Sequence, residues 1–289
     1  AIMSEIRGRY VLTLSCPDVT GVVHAVSGFL AGVGCNIVNS AQFGDSTTVR
    51  FFMRVSFDIV DGQQDLESLT GGFRPVANRF GMTWDLHDST TRPRVLLMVS
   101  RFGHCLNDLL YRHSIGALEM DIPAIVSNHN DYARLAASYD IPFHYWPVSP
   151  ETKAEREAQL LDLVEGERID LVVLARYMQV LSEAVCERMH GRVINIHHSF
   201  LPSFKGARPY QQAYARGVKL IGATAHYVTA DLDEGPIIEQ EVARVDHAMT
   251  PQDLTAVGRD LESVALARAV QYHIERRVLL NGDRTVVFR

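Results

Sequence analysis

An uninterrupted apolar run inside residues 94–100 constrains the fold of this chain more than any other stretch. From Val95 to Val99 it offers no polar face, and such strands are typical of the interior of a parallel sheet. The largely apolar run at 169–174 has the same character and follows a helical pattern at 153–166. Strands that alternate with helices in this way predict crossover connections and a mostly parallel α/β sheet.

The segments beyond this run extend the same pattern. Further strands are predicted at 122–127, 142–147, 193–198, 220–228 and 237–245, with helices near 106–110 and 132–139. The last two of these strands follow each other closely, which favours an antiparallel pair at one side of the sheet. A long amphipathic helix is predicted at 252–278, and a final short strand at 285–288.

The first 88 residues carry a different pattern, with elements in the order β-α-β-β-α-β. This split βαβ unit predicts a ferredoxin-like α+β domain. Asp18 is a candidate N-cap for the first of its two helices. The polar segment 89–93 ends in proline and is the best linker in the chain. We therefore predict one domain at 1–88 and a second at 94–289, which fits the length of 289 residues.

Composition argues against several classes of function. A net charge of −6 gives no case for nucleic-acid binding. No apolar run reaches the roughly 20 residues that cross a bilayer, and no signal peptide is visible, so we expect a cytoplasmic protein. The four cysteines form no CxxC pair, which is typical of reduced thiols. No glycine-rich phosphate motif follows residues 94–100, so a dinucleotide or NTP cofactor is not expected.

Asn195, His197 and Asp233 are the residues that we single out for chemistry. Asn195 and His197 alternate on one predicted strand, so their side chains face the same side of the sheet. An amide N–H and an imidazole N–H on one face can stabilise an oxyanion that forms on an attacked carbonyl. Asp233 lies seven residues past His226, and a carboxylate there can orient or deprotonate a water, or hold the imidazole charged.

Other interpretations of these polar residues remain open from the residues alone. His197, His198, His226 and Asp233 are zinc-ligand types, but adjacent histidines on a strand are expected to face opposite sides, which disfavours a shared metal. Ser199 beside His198 has the chemistry of a nucleophile with its base, but the Gly-x-Ser-x-Gly elbow is absent. We predict no metal site.

Further basic and thiol groups allow two interpretations each. Lys205, Arg208 and Arg216 can meet an anionic substrate, although a solvated face is the commoner explanation. Cys105 and Cys186 are expected to be inert helix residues rather than nucleophiles.

The first domain resembles the ACT domain, a small regulatory module. The resemblance rests on the element order and on residues 18–23 after the first strand. It implies that paired copies form a homo-dimer or homo-tetramer and hold an amino-acid effector such as glycine or methionine. The implied effector contacts are Asp18, Gly21, Asn36 and Asn39.

The second domain resembles the folate-dependent formyltransferases, and within them the formyltetrahydrofolate deformylases, which place an ACT domain ahead of a Rossmann-like domain. The match rests on residues 174–181, 195–206, 226–229 and 232–238. It implies that Asn195 and His197 polarise the formyl oxygen and that Asp233 orients the attacking water. His226 would support Asp233 or the formyl site. The implied folate pocket is lined by Arg176, Tyr177, Met178, Val180, Leu181 and Ile196.

One departure from the glycinamide ribonucleotide formyltransferases bears on the acceptor. Their phosphate-binding Gly-Asn-Ser-type loop is replaced here by residues 100–106. The resemblance then implies water as the acceptor and hydrolysis of 10-formyltetrahydrofolate to tetrahydrofolate and formate. The formate would supply purine synthesis and balance the one-carbon folate pools. No cofactor is expected, because folate is the substrate. Two alternatives are a transferase to an unidentified amine and an amino-acid-responsive module that senses folate.

Overall fold

The computed structural model describes residues 8–198 and 208–289, and the chain divides into two compact units. Unit 1 consists of the chain up to Arg92 together with Glu275–Asn281 and Val286–Arg289. Unit 2 consists of Pro93–Ile274 and Gly282–Thr285. The sequence-based division assigned all of 94–289 to the second domain, whereas the structure groups most of the residues after Ile274 with unit 1.

Unit 1 contains a four-stranded antiparallel sheet in the order β2-β3-β1-β4 and two helices. Its elements are β1 (Gly8–Pro17), α1 (Val22–Gly32), β2 (Cys35–Asp45), β3 (Arg50–Ile59), α2 (Leu66–Phe80) and β4 (Thr83–Asp88). Both helices bury an apolar stripe against the sheet, and Phe73 with Leu30 and Phe57 belongs to this core. The predicted β-α-β-β-α-β order and the α+β class are confirmed.

The helix starts in unit 1 follow different rules. Asp65 caps α2 through a capping box with Ser68, which satisfies two backbone N–H groups of the first turn. The N-cap of α1 is instead Gly21 in a left-handed conformation, with no side-chain cap. The prediction that Asp18 caps α1 was therefore wrong, because the chain turns at Gly21 before the helix begins.

Unit 2 contains a seven-stranded sheet in the order β11-β10-β9-β8-β5-β6-β7. Its elements are β5 (Val95–Val99), α3 (His104–Ser114), β6 (Ile125–Ser127), α4 (Ala133–Ser138), β7 (Phe143–Tyr145), α5 (Lys153–Gly166), β8 (Leu171–Leu174), α6 (Glu183–Arg188), β9 (Val193–His197), α7 (Pro209–Arg216), β10 (Leu220–Tyr227), β11 (Ile237–Arg244) and α8 (Pro251–Ile274). The strands β5 to β9 pair in parallel, and β10 pairs antiparallel with both β9 and β11. The predicted mostly parallel sheet is confirmed.

The strand order reverses between β5 and β8, because β5 leads outward to β6 and β7 while β8 leads to β9. Open α/β sheets bind ligands outside the carboxyl ends of the strands at such a reversal. The loops after β5 and β8 leave the sheet at this place, and His197 is the last residue of β9. The fold therefore brings two sequence-distant loops and the end of β9 to one edge.

The C-terminal region differs from the prediction. The long helix ends at Ile274 rather than at 278, and Val278–Asn281 forms β12, which pairs with β13 (Arg284–Val287). The apolar residues at 278–280 continue the helical spacing, so the pattern alone did not mark the helix end. Among the described residues, no helix combines the length and apolar character that crossing a bilayer requires.

Candidate active site

The register between β9 and β10 brings polar side chains together at one end of the sheet. Asn195 pairs with His226 across the two antiparallel strands, and His197 pairs with Thr224. Directly opposed residues project to the same face of a sheet. Asn195, His197 and His226 therefore share one face, as the alternation of Asn195 and His197 predicted.

A tight turn brings Asp233 to the same place. Asp233 has a positive φ of 58°, and the chain then passes so close to β10 that a Cβ at Gly235 would lie 1.6 Å from the carbonyl oxygen of Tyr227. Only glycine fits such an approach. The backbone N–H of Tyr227 donates to the carbonyl of Pro236 and closes the turn. The Asp233 carboxylate is thus held over the end of β10.

The Asp233 carboxylate faces two imidazoles. One oxygen lies 3.4 Å from Nδ1 of His197, and the other lies 3.9 Å from Nε2 of His226. Nδ1–H of His226 donates to the Tyr227 carbonyl at 2.8 Å, which leaves Nε2 of the neutral ring as an acceptor. Nε2 of His197 and Nε2 of His226 are buried and have no hydrogen-bond partner among the described residues.

Both imidazoles are poor bases in this environment. Burial lowers the pKa of His197, and the charge of Asp233 partly opposes this shift. Burial also lowers the pKa of His226, against its hydrogen bond to Tyr227 and the charge of Asp233. Buried polar groups are normally hydrogen-bonded, so unpaired nitrogens beside a carboxylate indicate a place that a substrate or water completes.

These groups line an open cleft of about 250 Å³, close to the lower end of the range for small-molecule sites. The loop after β8 and residues 228–233 both line it. The cleft brings together all the residues predicted for catalysis and folate binding, namely Asn195, His197, Asp233, His226, Arg176, Tyr177, Met178, Val180, Leu181 and Ile196.

The walls of the cleft are apolar and uncovered. Met178 and Val180 of the loop after β8 are each 55% exposed, and Leu232 is 63% exposed. Exposed apolar side chains that line a concave surface mark a ligand-binding groove.

The loop after β8 is held by backbone bonds to the end of β5. The N–H of Ser100 donates to the Arg176 carbonyl, and the N–H of Met178 donates to the Ser100 hydroxyl at 2.9 Å. That hydroxyl in turn donates to Asn128 at 2.6 Å. Burial raises the pKa of Tyr177 to about 12, so its phenol stays protonated. The wall of the cleft is therefore preformed.

Comparison with known proteins agrees with this architecture. Residues 93–270 match the formyl transferase family, and residues 10–70 match the ACT domain. A formyltetrahydrofolate deformylase from Corynebacterium sp. (strain P-1) is 51% identical over 287 residues, which cover 99% of this chain and 100% of the relative. The crystal structure of a formyltetrahydrofolate deformylase from Burkholderia mallei ATCC 23344 is 56% identical, with a TM-score of 0.94 over 98% of this chain and 100% of that one.

The chain belongs to the formyltetrahydrofolate deformylase family. It is an enzyme of that family with an ACT domain and a formyltransferase-type domain. A glycinamide ribonucleotide transformylase 1 from Symbiobacterium toebii is also similar, at 27% identity and a TM-score of 0.65, over 71% of this chain and 98% of that one. The deformylases thus share the length of this chain, whereas the transformylase covers less of it.

The ACT domain of this deformylase-family chain exposes all the residues implied in effector binding. A bulge between Ile37 and Asn39 shifts the alternation of β2, so Asn36 and Asn39 face the same side. The Asp18 carboxylate lies beside Gly44, five residues and thus about 16 Å further along β2 than Asn39. Within one chain, Asp18 and the two asparagines do not form one cluster.

The rings of His197 and His198 are arranged differently from what the sequence of this deformylase-family chain predicted. The rings of His197 and His198 were expected to face opposite sides, but their centroids are 5.0 Å apart and nearly parallel, at 24°. The strand ends at His197, so alternation no longer applies to His198. No group of three or more histidine, cysteine or acidic side chains suited to a metal occurs among the described residues.

The other candidates fall into three groups. Ser199 and Lys205 lie outside the described residues. Arg208 starts α7 in a left-handed conformation, and Arg216 is in its last turn. The thiols of Cys105 and Cys186 are buried in helices, and burial raises the pKa of each, as expected for inert residues.

Sequence reasoning missed Glu262, a buried acid in the middle of α8. Oε1 of Glu262 accepts from Arg176 at 2.8 Å, and Oε2 accepts from Tyr210 at 2.6 Å. The available signal was its spacing, because Glu262 falls on the stripe formed by Leu254, Gly258 and Ala265, which are all buried. A charged residue on the buried stripe of a helix predicts that its side chain is paired with a partner side chain in the interior.

Proposed function

We propose that this chain hydrolyses 10-formyltetrahydrofolate to tetrahydrofolate and formate. The proposal rests mainly on one observation, the convergence of Asp233 with the unpaired nitrogens of His197 and His226 inside an apolar cleft. The similarity to the deformylases from Corynebacterium sp. and Burkholderia mallei supports the same substrate. Asn195 completes the set of groups that formyl hydrolysis needs.

In this proposal the attacking water lies between Asp233 and His226. A water that donates two hydrogen bonds of about 2.8 Å spans roughly 4.4 Å between its acceptors, and the gap between Nε2 of His226 and Oδ1 of Asp233, at 3.9 Å, is close to that span. The water would donate one proton to His226 and the other to Asp233, which leaves a lone pair for the formyl carbon. Asp233 then accepts the proton as the oxygen–carbon bond forms.

Asn195 and His197 stabilise the oxyanion that results. The amide N–H of Asn195 and an N–H on Nε2 of His197 donate to the former carbonyl oxygen, in a region where few waters compete. Asp233 beside Nδ1 stabilises positive charge on the ring as the oxyanion develops. Burial lowers the pKa of His197 in the free enzyme, so the ring takes a proton from solvent only as the oxyanion develops, and it returns that proton to solvent when the intermediate collapses.

Collapse of the tetrahedral intermediate breaks the bond between the formyl carbon and N10. The proton that Asp233 took from water passes to N10, the carbon–nitrogen electron pair stays on nitrogen, and formic acid leaves and loses its proton to solvent. One water is consumed, and one formate and one tetrahydrofolate are formed. No electron transfer or further reactant is required.

The apolar walls provide binding for the folate rings. Met178 and Val180 would cover one face of the pterin, and Leu232 the other. Main-chain groups of the loop after β8 and of residues 228–233, other than those that hold the loop to Ser100, would meet the polar edge of the ring. Arg176 lines the same cleft, but its guanidinium is engaged by Glu262 and His198.

Formate release without any acceptor tests this function. The purified chain is incubated with 10-formyltetrahydrofolate labelled with carbon-13 in the formyl group, and free formate is followed by NMR. We expect turnover in buffer alone, and its loss in Asn195→Ala and Asp233→Ala. Release only after a phosphorylated amine is added would show a transferase. Saturable folate binding with no turnover would show a sensor.

We propose further that folate is the only small molecule at this site and that the reaction uses no metal or cofactor. The roles assigned to His197 and His226 occupy the nitrogens that a metal would need. Full activity after prolonged dialysis against EDTA is expected. Recovery of lost activity by added zinc would contradict the proposal.

We infer that the ACT domain binds an amino acid such as glycine or methionine and pairs two or more copies of the chain. The match to the ACT domain supports an effector of this class. The separation of Asp18 from Asn39 within one chain is explained if the effector bridges two copies. Calorimetric titration of the full chain with a panel of amino acids tests this, because Glu275–Asn281 and Val286–Arg289 complete unit 1. No heat with any amino acid would contradict it.

The proposed physiological role follows from the products. We propose that the enzyme acts in the cytoplasm, which fits its free, buried cysteines, and that it supplies formate for purine synthesis while balancing the one-carbon folate pools. A deletion strain is expected to require purines or formate under conditions that consume tetrahydrofolate. Normal growth of that strain without either supplement would contradict this role.

A further inference from the structure

The carboxylate of Glu262 has no part in the proposed reaction, although it lies behind the candidate site. Its side chain is 1% exposed, and it accepts from Arg176, from His104 at 3.2 Å and from Tyr210. Removing a carboxylate from water costs several kcal/mol unless it is paired and hydrogen-bonded. Burial alone would raise the pKa of Glu262, but hydrogen bonds from His104 and Tyr210 and the charge of Arg176 hold it below its ordinary value.

Arg176 connects this carboxylate to the site. It lies in the turn after β8 with a positive φ of 67°, and its side chain is 11% exposed. The same nitrogen that donates to Glu262 lies 2.8 Å from Nδ1 of His198. A guanidinium can only donate, so Nδ1 of His198 accepts, and the His198 ring is neutral with its proton on Nε2. The Phe102 ring packs on the guanidinium at 5.5 Å.

His198 in turn packs on His197. The two rings stack with their centroids 5.0 Å apart. A chain of contacts therefore runs from Glu262 through Arg176 and His198 to the imidazole that would hold the oxyanion. Because Arg176 keeps His198 neutral, no second imidazolium lies against His197.

We propose that Glu262 and Arg176 are positioning residues for His197, which fix the tautomer and ring orientation of His198 and balance the charge behind the oxyanion site. This inference rests on the proposed function and deepens it. Neither residue touches the formyl group. Each acts through His198, because the ring of His197 stacks on the ring of His198.

The fold is built to allow these contacts. A Cβ at Gly258 would lie 2.0 Å from the Tyr210 hydroxyl, so the glycine one turn before Glu262 leaves room for that ring. Tyr210 can then donate to Oε2 while Arg176 and His104 share Oε1. Nε of Arg176 is buried without a partner among the described residues, so the guanidinium is not arranged for maximum stability alone.

Glu262→Gln tests the proposal, because it keeps the shape and removes the charge. We expect kcat for formate release to fall by roughly 10- to 100-fold, as for small displacements of a catalytic group, with KM for 10-formyltetrahydrofolate changed by less than about twofold. Glu241→Gln is the matched control. Glu241 on β11 pairs with Arg268 of α8 at a partly exposed site outside the cleft, and its variant is expected to keep wild-type kcat.

The pH profile provides a readout that a purely structural role would not move. The charged or titratable groups around His197 are Asp233, His226 and His198, with Arg176 and Glu262 behind. Glu262 raises the pKa of His197 and Arg176 lowers it. Loss of the Glu262 charge leaves Arg176 uncompensated, so the limb of the kcat/KM profile that belongs to His197 should move to lower pH in Glu262→Gln. No such shift is expected in Glu241→Gln.

A paired apolar replacement separates positioning from folding. Replacing a buried ion pair by apolar side chains of similar volume is often neutral for stability, so Arg176→Met/Glu262→Met should retain the wild-type Tm while kcat falls. Arg176→Lys keeps the positive charge but loses the planar guanidinium with its paired donors. This variant should therefore retain only part of the wild-type kcat.

Wild-type kcat and an unmoved pH profile in a folded Glu262→Gln, or in the double variant, would overturn the proposal. If the wild-type chain itself releases no formate without an acceptor, the proposed function fails instead, whatever these variants do.

Discussion

Asn195 on β9 and His226 on β10 face each other directly across the antiparallel pair. Strand register therefore fixes the distance between the group proposed to hold the oxyanion and the group proposed to hold the water. Asp233 reaches the same place through a turn that Gly235 makes possible. The site combines two rigid strands with one loop. The sheet therefore positions Asn195 and His226, and the turn positions Asp233.

Asn195→Ala tests the rigid part of the site. The amide is proposed to donate only when the oxyanion forms, so kcat should fall by about 100- to 1000-fold, as for other oxyanion donors, while KM stays near the wild-type value. Steady-state kinetics of formate release measures both. The exposed Asn130 in unit 2 gives the matched control, Asn130→Ala, which should behave as wild type. A loss that appears in KM alone would assign Asn195 to substrate binding.

Leu232→Ala tests the apolar wall. Leu232 is 63% exposed in the free chain, and its truncation should cost only the apolar contact with the folate ring. Burial of such a side chain contributes about 1.5–3 kcal/mol, so KM should rise roughly tenfold with kcat retained. The control is Leu220→Ala, which removes a leucine of similar exposure (47%) that does not line the cleft. Equal KM values in the two variants would place the folate elsewhere.

The sequence predicted the central features of this site because they follow from local periodicity. Alternation placed Asn195 and His197 on one face, and the short connection after β10 predicted the antiparallel pair that carries His226. The first inference uses the period of two along a strand, and the second uses the shortness of the connection between two strands.

Features that depend on the end of an element were not predicted. His198 follows the last residue of β9, and the helix α8 stops at Ile274 although the apolar spacing continues. Periodicity gives no signal for where backbone pairing stops.

Glu262 was not predicted for another reason. Its spacing places it on the buried stripe of α8, unlike the exposed Asp260, but the partners that stabilise its burial lie on α3, α7 and the loop after β8, which periodicity does not bring together.

Asn281→Asp tests the C-terminal completion of unit 1. The Asn281 amide donates to the buried carboxylate of Asp45 at 2.8 Å, so an aspartate there would place two carboxylates against each other. We expect unit 1 to lose about 2–3 kcal/mol of stability at pH 7, and the loss should shrink in acid as one carboxyl is protonated.

Calorimetric scans of the full-length variant at neutral and acidic pH measure this effect. Asn281→Ala removes the hydrogen bond without adding a charge, and its smaller loss should not depend on pH in this way. Identical pH dependence in the two variants would show that the Asp45 carboxylate is not sensitive to a charge at residue 281.

The lowered pKa values of the buried imidazoles predict how stability depends on pH. Burial lowers the pKa of His226 and of His197 below the value near 6.5 of an unfolded chain. Between the folded and unfolded values the unfolded chain binds more protons, so stability is lost as pH falls from about 6.5 through the folded pKa, by up to about 1.4 kcal/mol per pH unit for each histidine. Urea denaturation from about pH 7.5, roughly one unit above the unfolded value, down to about pH 5 should show a shallower slope for His226→Gln than for wild type. His190 is exposed in the same unit, and His190→Gln should keep the wild-type slope. If the slope of His226→Gln equals that of wild type, burial does not lower the pKa of His226 in the folded chain, and this explanation of the pH dependence is wrong.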